Sequence, residues 1–269
     1  MDAAGIVAGK NVPVDEALIG SLDDVAARAV PAGCTREIGG WLARRSPGLH
    51  TKRANSVLPR RHPPDEGIEG KLAACEQFYE ERGLPVRYQI SPASRPAGLE
   101  ELLVDRGYTA SAPTAVQTCD LERLRRGPAA PEATAEIASR PTDGWWRTWQ
   151  AALGVEPSRL SAVAALLGRL DRRTAFVTVS IDGTSAAVGL GVLDGPWLGI
   201  FNMATLPASR RRGAGRTALA ALAGWARGRG ATGGYLQVEL DNQSALELYR
   251  GAGFRQAYRY VYLTRAPAT

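Results

Sequence analysis

Histidine is almost missing from this 269-residue chain, which has only His50 and His62. No histidine follows residue 62, which excludes a His-based triad or a histidine-ligated metal in the second half. The three cysteines, Cys34, Cys75 and Cys119, form an odd set without metal-ligand spacing, as suits a reducing cytoplasm. All three precede residue 120, so a cysteine nucleophile is not expected beyond it. No run of about eighteen apolar residues occurs, which excludes a membrane-spanning helix. Residues 1–10 lack the basic start and long apolar core of a secretory signal, so a cytoplasmic protein without bound metal is expected.

What is present is enough for two modest domains, since hydrophobic residues make up 45% of the chain. The net charge of +6 is unevenly placed. Residues 1–128 hold 17 basic and 17 acidic side chains, whereas residues 129–269 hold 16 and 10. The whole excess therefore lies in the second half, where it would attract an anionic ligand. No basic patch interleaved with aromatics argues for a nucleic-acid partner.

The densest signal in that half is Pro207-Ala208-Ser209-Arg210-Arg211-Arg212-Gly213-Ala214-Gly215-Arg216. It follows an apolar run, 198–206, that reads as a strand, and it opens a helix predicted over 213–229. A glycine turn at a helix start aims free backbone N–H groups outward at the positive end of the helix dipole. Gly213 and Gly215 keep side chains clear, and three arginines add charge, so the turn suits a pyrophosphate. Gly213-x-Gly215-x-x-Ala218 also fits the dinucleotide fingerprint, with Glu239 as a ribose-binding acid. Against that, residues 207–212 separate the turn from its strand, and only about thirty residues follow Glu239, too few for further strand–helix units.

The other reading of the turn is R-x-x-G-x-G, carried by Arg210, Gly213 and Gly215. Downstream, Asn242, Ala245, Tyr249, Gly253 and Phe254 give N-x-x-A-x-x-x-Y-x-x-x-G-F. Together these resemble the acyl-CoA pyrophosphate loop and second signature of the GNAT superfamily of N-acyltransferases, over residues 135–265. The resemblance implies an α/β (α+β) fold of two GNAT-like domains, each a mixed, mostly antiparallel twisted sheet flanked by helices. Residues 129–269 would be the catalytic domain with an acetyl-CoA site. Residues 1–128 would be a degenerate domain; a linker is read near 123–134, where 125–131 is rich in Pro, Gly and Ala. That first half reads helix 14–30, strands 40–45 and 51–58, helix 68–82, strand 86–91, helix 99–106 and strand 114–121, which repeats the order of the second. Its segments 39–42, 53–57 and 78–85 also resemble bacterial tandem GNAT proteins. The stretch before its main helix, 60–67, has no G-x-G and carries Asp65 and Glu66, so this half is not expected to hold CoA.

The same resemblance implies roles for individual residues. Met203, Ala204 and Thr205 would run beside pantetheine, bonding it through main chain where their strand diverges from the next, and an amide there could polarise the thioester oxygen. Core filling is the alternative for the Met203 side chain. Arg210, Arg211, Arg212, Gly213, Ala214, Gly215, Arg216 and Thr217 would hold the pyrophosphate. Tyr249 would contact the co-substrate and protonate the departing thiolate, for which a phenol is a suitable acid; packing beside Phe254 is its other reading. Asn242 could cap its helix, bond the co-substrate, or both.

The family's usual glutamate base falls at Gly199, which has no side chain. Glu239, Asp241 or a water relay are the replacements. By strand parity Gln237 and Glu239 share one face, with Leu236, Val238 and Leu240 on the other. Trp145 and Trp149, four apart on a helix predicted over 143–153, either pack on the sheet or wall the acceptor pocket. Trp197, Phe201 and Asn202 are further pocket candidates. The implied activity is direct acetyl transfer from acetyl-CoA to a primary amine of a small molecule. A protein N-terminus or lysine is the rival acceptor, and a non-enzymatic acyl-CoA sensor the rival class. A homodimer is compatible with all three.

Overall fold

The computed structural model describes residues 15–46, 48–49, 51–63, 67–124, 132–170 and 173–266. The linker at 125–131, residues 1–10, His50, Asp65 and Glu66 lie outside the described residues. The chain forms two compact units: residues 1–115, 161–169 and 257–269 make unit 1, and residues 116–160 and 170–256 make unit 2. The division at residue 128 read from the sequence assigns strand 255–264 to the second half, whereas residues 257–269 belong to unit 1.

Unit 1 opens with α1 (Glu16–Ala29), capped by the Asp15 carboxylate, which accepts from Ala17 N at 3.0 Å. Strands β1 (Cys34–Ile38) and β2 (Trp41–Arg45) form a hairpin whose turn residues Gly39 and Gly40 both have positive φ, as a tight hairpin with this twist requires. Next come β3 (Val57–Pro59), α2 (Ile68–Glu80), β4 (Val86–Ile90), α3 (Leu99–Asp105) and β5 (Thr109–Asp120). The final strand, β11 (Arg255–Arg265), pairs antiparallel with β4, Val261 opposite Ile90. The sheet order is β1-β2-β3-β4-β11-β5, with β3 and β4 parallel. Trp41 stands edge-on to Tyr88 at 5.8 Å, in a core shared with Leu72, Phe78, Tyr79 and Leu103. Burying such large side chains contributes roughly 1.5–3 kcal/mol each.

Unit 2 contains β6 (Ala133–Ala138), α4 (Asp143–Leu153), β7 (Arg173–Ile181), β8 (Thr184–Asp194), β9 (Trp197–Thr205), α6 (Ala214–Arg227), β10 (Gly233–Glu239) and α7 (Gln243–Ala252). The remaining helix, α5 (Leu160–Gly168), falls largely in unit 1. Strands β6 to β9 are antiparallel neighbours, β10 runs parallel to β9, and β5 flanks β10. The expected fold class, a mixed and mostly antiparallel sheet with flanking helices, is the one observed. Among the described residues no helix is long and apolar enough to cross a membrane.

Candidate acyl-CoA site

The parallel pair β9/β10 is short. Its register runs from Trp197↔Gly233 to Ile200↔Leu236 and then stops, although both strands continue. The cause lies on the other side of β9. Between Val188↔Ala204 and Leu190↔Phe201 the β8/β9 register shifts, and Asn202 takes φ +50°. A bulge bends its strand and increases the local twist. Beyond Ile200 and Leu236 the backbones part, so main-chain groups of Phe201–Thr205 lack β10 partners.

Directly after β9 comes a one-turn 3-10 helix, Pro207–Ser209, and then the arginine turn. Arg211 has φ +63°, and Gly213 caps α6 at φ +87°. Glycine is the residue that adopts this left-handed geometry without cost. The Gly213 carbonyl accepts from Arg216 N and Thr217 N, both at 3.0 Å, so α6 starts cleanly with its first N–H groups facing outward. Arg212 pairs with Asp182 at 2.8 Å and Arg211 approaches Glu247 at 3.8 Å, which positions the two guanidinium groups. A hydrogen bond with Glu132, and then Arg212, holds the Asp182 carboxyl below its usual range.

Several residues singled out in the sequence meet here. A Cβ on Gly215 would lie 3.3 Å from Leu248 Cδ2 and 3.6 Å from Thr205 Oγ1, so the end of β9, the start of α6 and the middle of α7 converge. Arg216 reaches α7 beside Gly251. Tyr249, next to Leu248, is buried, its ring 5.9 Å from that of Phe254. Asn242 caps α7, its Oδ1 accepting from Ala245 N at 3.2 Å. Glu239 and Asp241 are exposed at and just beyond the end of β10.

Other candidates separate. The Met203 thioether packs towards Gly189 on the side of Leu222 in α6, which is core filling. Trp145 is fully buried and donates from Nε1 to the Gly189 carbonyl at 3.1 Å, at the one β8 position the bulge leaves without a β9 partner. Trp149 stacks on it at 6.0 Å, so these tryptophans pack on the sheet.

Sequence reasoning missed two features. Cys119 belongs to unit 2 through β5, but burial pushes its thiol up to about 12, which makes it no nucleophile. Gly199 is not simply a vacant position: a Cβ there would meet Tyr235 Oη and Phe201 Cε2, each at 2.6 Å. Tyr235 pairs across from Gly199 and fills its space; strand parity with Gln237 and Glu239 already put it on their face. Gly199→Ala is therefore expected to lower stability by about 1–3 kcal/mol through overpacking. Thermal and urea unfolding check this, and an unchanged midpoint would mean that Tyr235 swings away freely.

The family model described as "Probable histone acetyltransferase Rv0428c C-terminal" matches residues 17–263. The chain belongs to this family of GNAT N-acetyltransferases. A curated relative, "Uncharacterized N-acetyltransferase YobR" of Bacillus subtilis (strain 168), is 30% identical over 247 residues, covering 91% of this chain and 97% of the relative. Among solved structures, a GCN5-related N-acetyltransferase from Kribbella flavida superimposes with a TM-score of 0.71 at 17% identity, covering 96% of this chain and 98% of the other. A tandem GNAT protein from the clavulanic acid biosynthesis pathway gives 0.65 at 14% identity, covering 92% and 88%. Acetyl transfer is thus the general activity of this GNAT chain, and its two-unit architecture has solved counterparts.

Proposed function

We propose that this GNAT enzyme transfers acetyl from acetyl-CoA directly to the primary amine of a small molecule. In this reading residues 129–269 supply the catalytic machinery, and residues 1–128 form a degenerate GNAT-like half that does not hold CoA. One observation carries it: the divergence of β9 from β10 opens beside the arginine turn at the start of α6. The turn offers N–H groups and guanidinium charge to a pyrophosphate, and the unpaired edge of β9 offers main-chain partners to an extended pantetheine arm.

The chemistry then divides among named groups. The acceptor nitrogen bonds to the acetyl carbon as the carbon–sulfur bond breaks. Tyr249 gives its phenolic proton to the departing thiolate, and the amine proton leaves to Glu239, to Asp241 or to water. Glu239 and Asp241 sit exposed beside α7, where a solvent relay is open to either. No covalent enzyme intermediate is needed, in keeping with a half-buried Cys119 whose thiol is pushed up.

The description of the family model, which names a histone acetyltransferase, favours protein amines as the rival acceptor. Titration calorimetry with acetyl-CoA should give one site per chain; two sites would overturn the reading of residues 1–128, and none would sink the enzyme reading. Release of CoA thiol would then be followed with a panel of small amines and with a lysine-bearing histone-tail peptide. Turnover of small amines alone supports the proposal, turnover of the peptide alone replaces its acceptor, and binding without turnover of either leaves a sensor.

A further inference from the structure

Unit 1 contains a cavity of about 370 Å³ that no acyl-CoA chemistry explains. It lies at the carboxyl ends of the parallel strands β3 and β4, which share a single register pair, Val57↔Tyr88, before parting. Crevices at such strand ends are where open α/β sheets bind ligands. One face of α1 closes the cavity: Glu16, Gly20, Asp23 and Asp24 follow helical spacing along it.

Most charges around this cavity neutralise one another. Arg95 is paired with Glu16, and Arg60 Nε stands 2.9 Å from Asp24 Oδ1, although both atoms are buried without a well-aligned hydrogen bond. Asp23 is different. Its Oδ2 accepts from Ser91 Oγ and its Oδ1 from Tyr258 Oη, both at 2.7 Å, and neither partner carries a charge. The cation that acts on it is Arg44 on β2, whose guanidinium also donates to Ser56 and Gln89. Two hydroxyls thus fix a buried carboxylate in the wall of a water-sized-to-metabolite-sized space, with one lone pair left on each oxygen.

We infer that this cavity binds a small organic amine as its ammonium form, with the Asp23 carboxylate as the anionic anchor. CoA does not suit it. The segment leading into α2 offers no G-x-G, and its N-cap, Gly67, is extended at φ −66° rather than left-handed as at α6. Burial also pushes the Asp23 carboxyl up to about 6, against the pull of Tyr258 and Ser91. A bound cation favours the ionised form, so affinity falls as pH drops through this range. The charged and titratable groups around Asp23 are Asp24 and Glu16 on α1, Arg44 on β2, Arg60 and Arg61 after β3, Arg95 after β4 and the neutral phenol of Tyr258 on β11.

The test uses putrescine as probe, with 1,4-butanediol as the uncharged match, on the full chain without acetyl-CoA. The outcome therefore does not depend on the acyl-transfer reading. Calorimetry at pH 8 should show one putrescine per chain and no heat from the diol. Asp23→Asn, which keeps the shape and the hydroxyl partners, should weaken binding at least about tenfold, as loss of a charge-assisted contact does. Gly20→Leu is the second variant: a Cβ there meets nothing within 4 Å, so the side chain has open space on the cavity face of α1 while the Asp23 carboxylate is kept, and leucine favours the helix. It should abolish binding with an undiminished Tm. Equal affinity in Asp23→Asn, equal affinity of the diol, or no putrescine heat at about 10 mM, the range where one ion pair registers, would overturn the inference.

Discussion

Tyr249→Phe is expected to lower kcat by about 10²–10⁴-fold, the worth of a positioned general acid, while acetyl-CoA affinity stays within about twofold. The substitution removes one oxygen and keeps the ring. That ring is buried and packs at 62° against Phe254, a contact phenylalanine reproduces, so the fold should be undisturbed. In the proposed reading binding depends instead on the turn and on the start of α6, where Gly213 and Gly215 set the backbone. The two roles of Tyr249 separate kinetically: a packing residue replaced by phenylalanine would leave kcat unchanged, and an acid would change kcat and its alkaline limb. Steady-state rates across pH 6–10, paired with calorimetry, give both readings. An unchanged kcat would remove Tyr249 from proton transfer and leave water as the acid.

Trp145→Ala should cost about 3–5 kcal/mol of stability, the range for truncating a buried aromatic. Trp145 is fully buried and touches Trp146, Trp149 and Phe176 with ring centroids 5.2–6.0 Å away. Its indole N–H also satisfies the Gly189 carbonyl at the β8/β9 irregularity. Trp145→Phe keeps most of the packing and forfeits that bond, so a smaller loss of about 1–3 kcal/mol is expected, the cost of an orphaned buried acceptor. Against a typical total of about 5–15 kcal/mol, the alanine variant is severely weakened. Urea unfolding with comparison of slopes measures both. If the alanine variant lost under about 1 kcal/mol, the aromatic cluster would have to repack around the gap. Because the bulge that Trp145 braces is also where β9 leaves β10, the phenylalanine variant should raise the KM for acetyl-CoA as well.

The local features of this fold were legible. Helix α4 occupies Asp143–Leu153 as predicted, because Thr142 caps it and accepts from Trp145 N. Strands β9 and β10 and helices α6 and α7 fall within a few residues of their expected limits, since caps and glycines mark each boundary. Strand β8 was not read: its sequence, TSAAVGLGVLD, is buried on both faces and so shows no alternation. The pairing of β11 was also illegible. Its pattern is the same whichever sheet it joins, and its partner Ile90 lies far back in the chain. The spacing of Trp145 and Trp149 put them on one helix face without saying what that face meets, and only the fold decides for packing. The cavity around Asp23 is assembled from three separated segments, so no window of sequence contains it.

The placement of β11 has a consequence for how the protein is made. Residues 116–256, apart from 161–169, build unit 2 and emerge from the ribosome before the strand that completes unit 1. At roughly 5–20 residues per second, unit 1 waits on the order of ten seconds with the edge of β4 uncovered. An open strand edge is a template for wrong partners. The second unit is therefore complete along the chain before the first receives its last strand. A stop codon near residue 255 would thus leave the arginine turn in place and strike the amino-terminal half of the molecule.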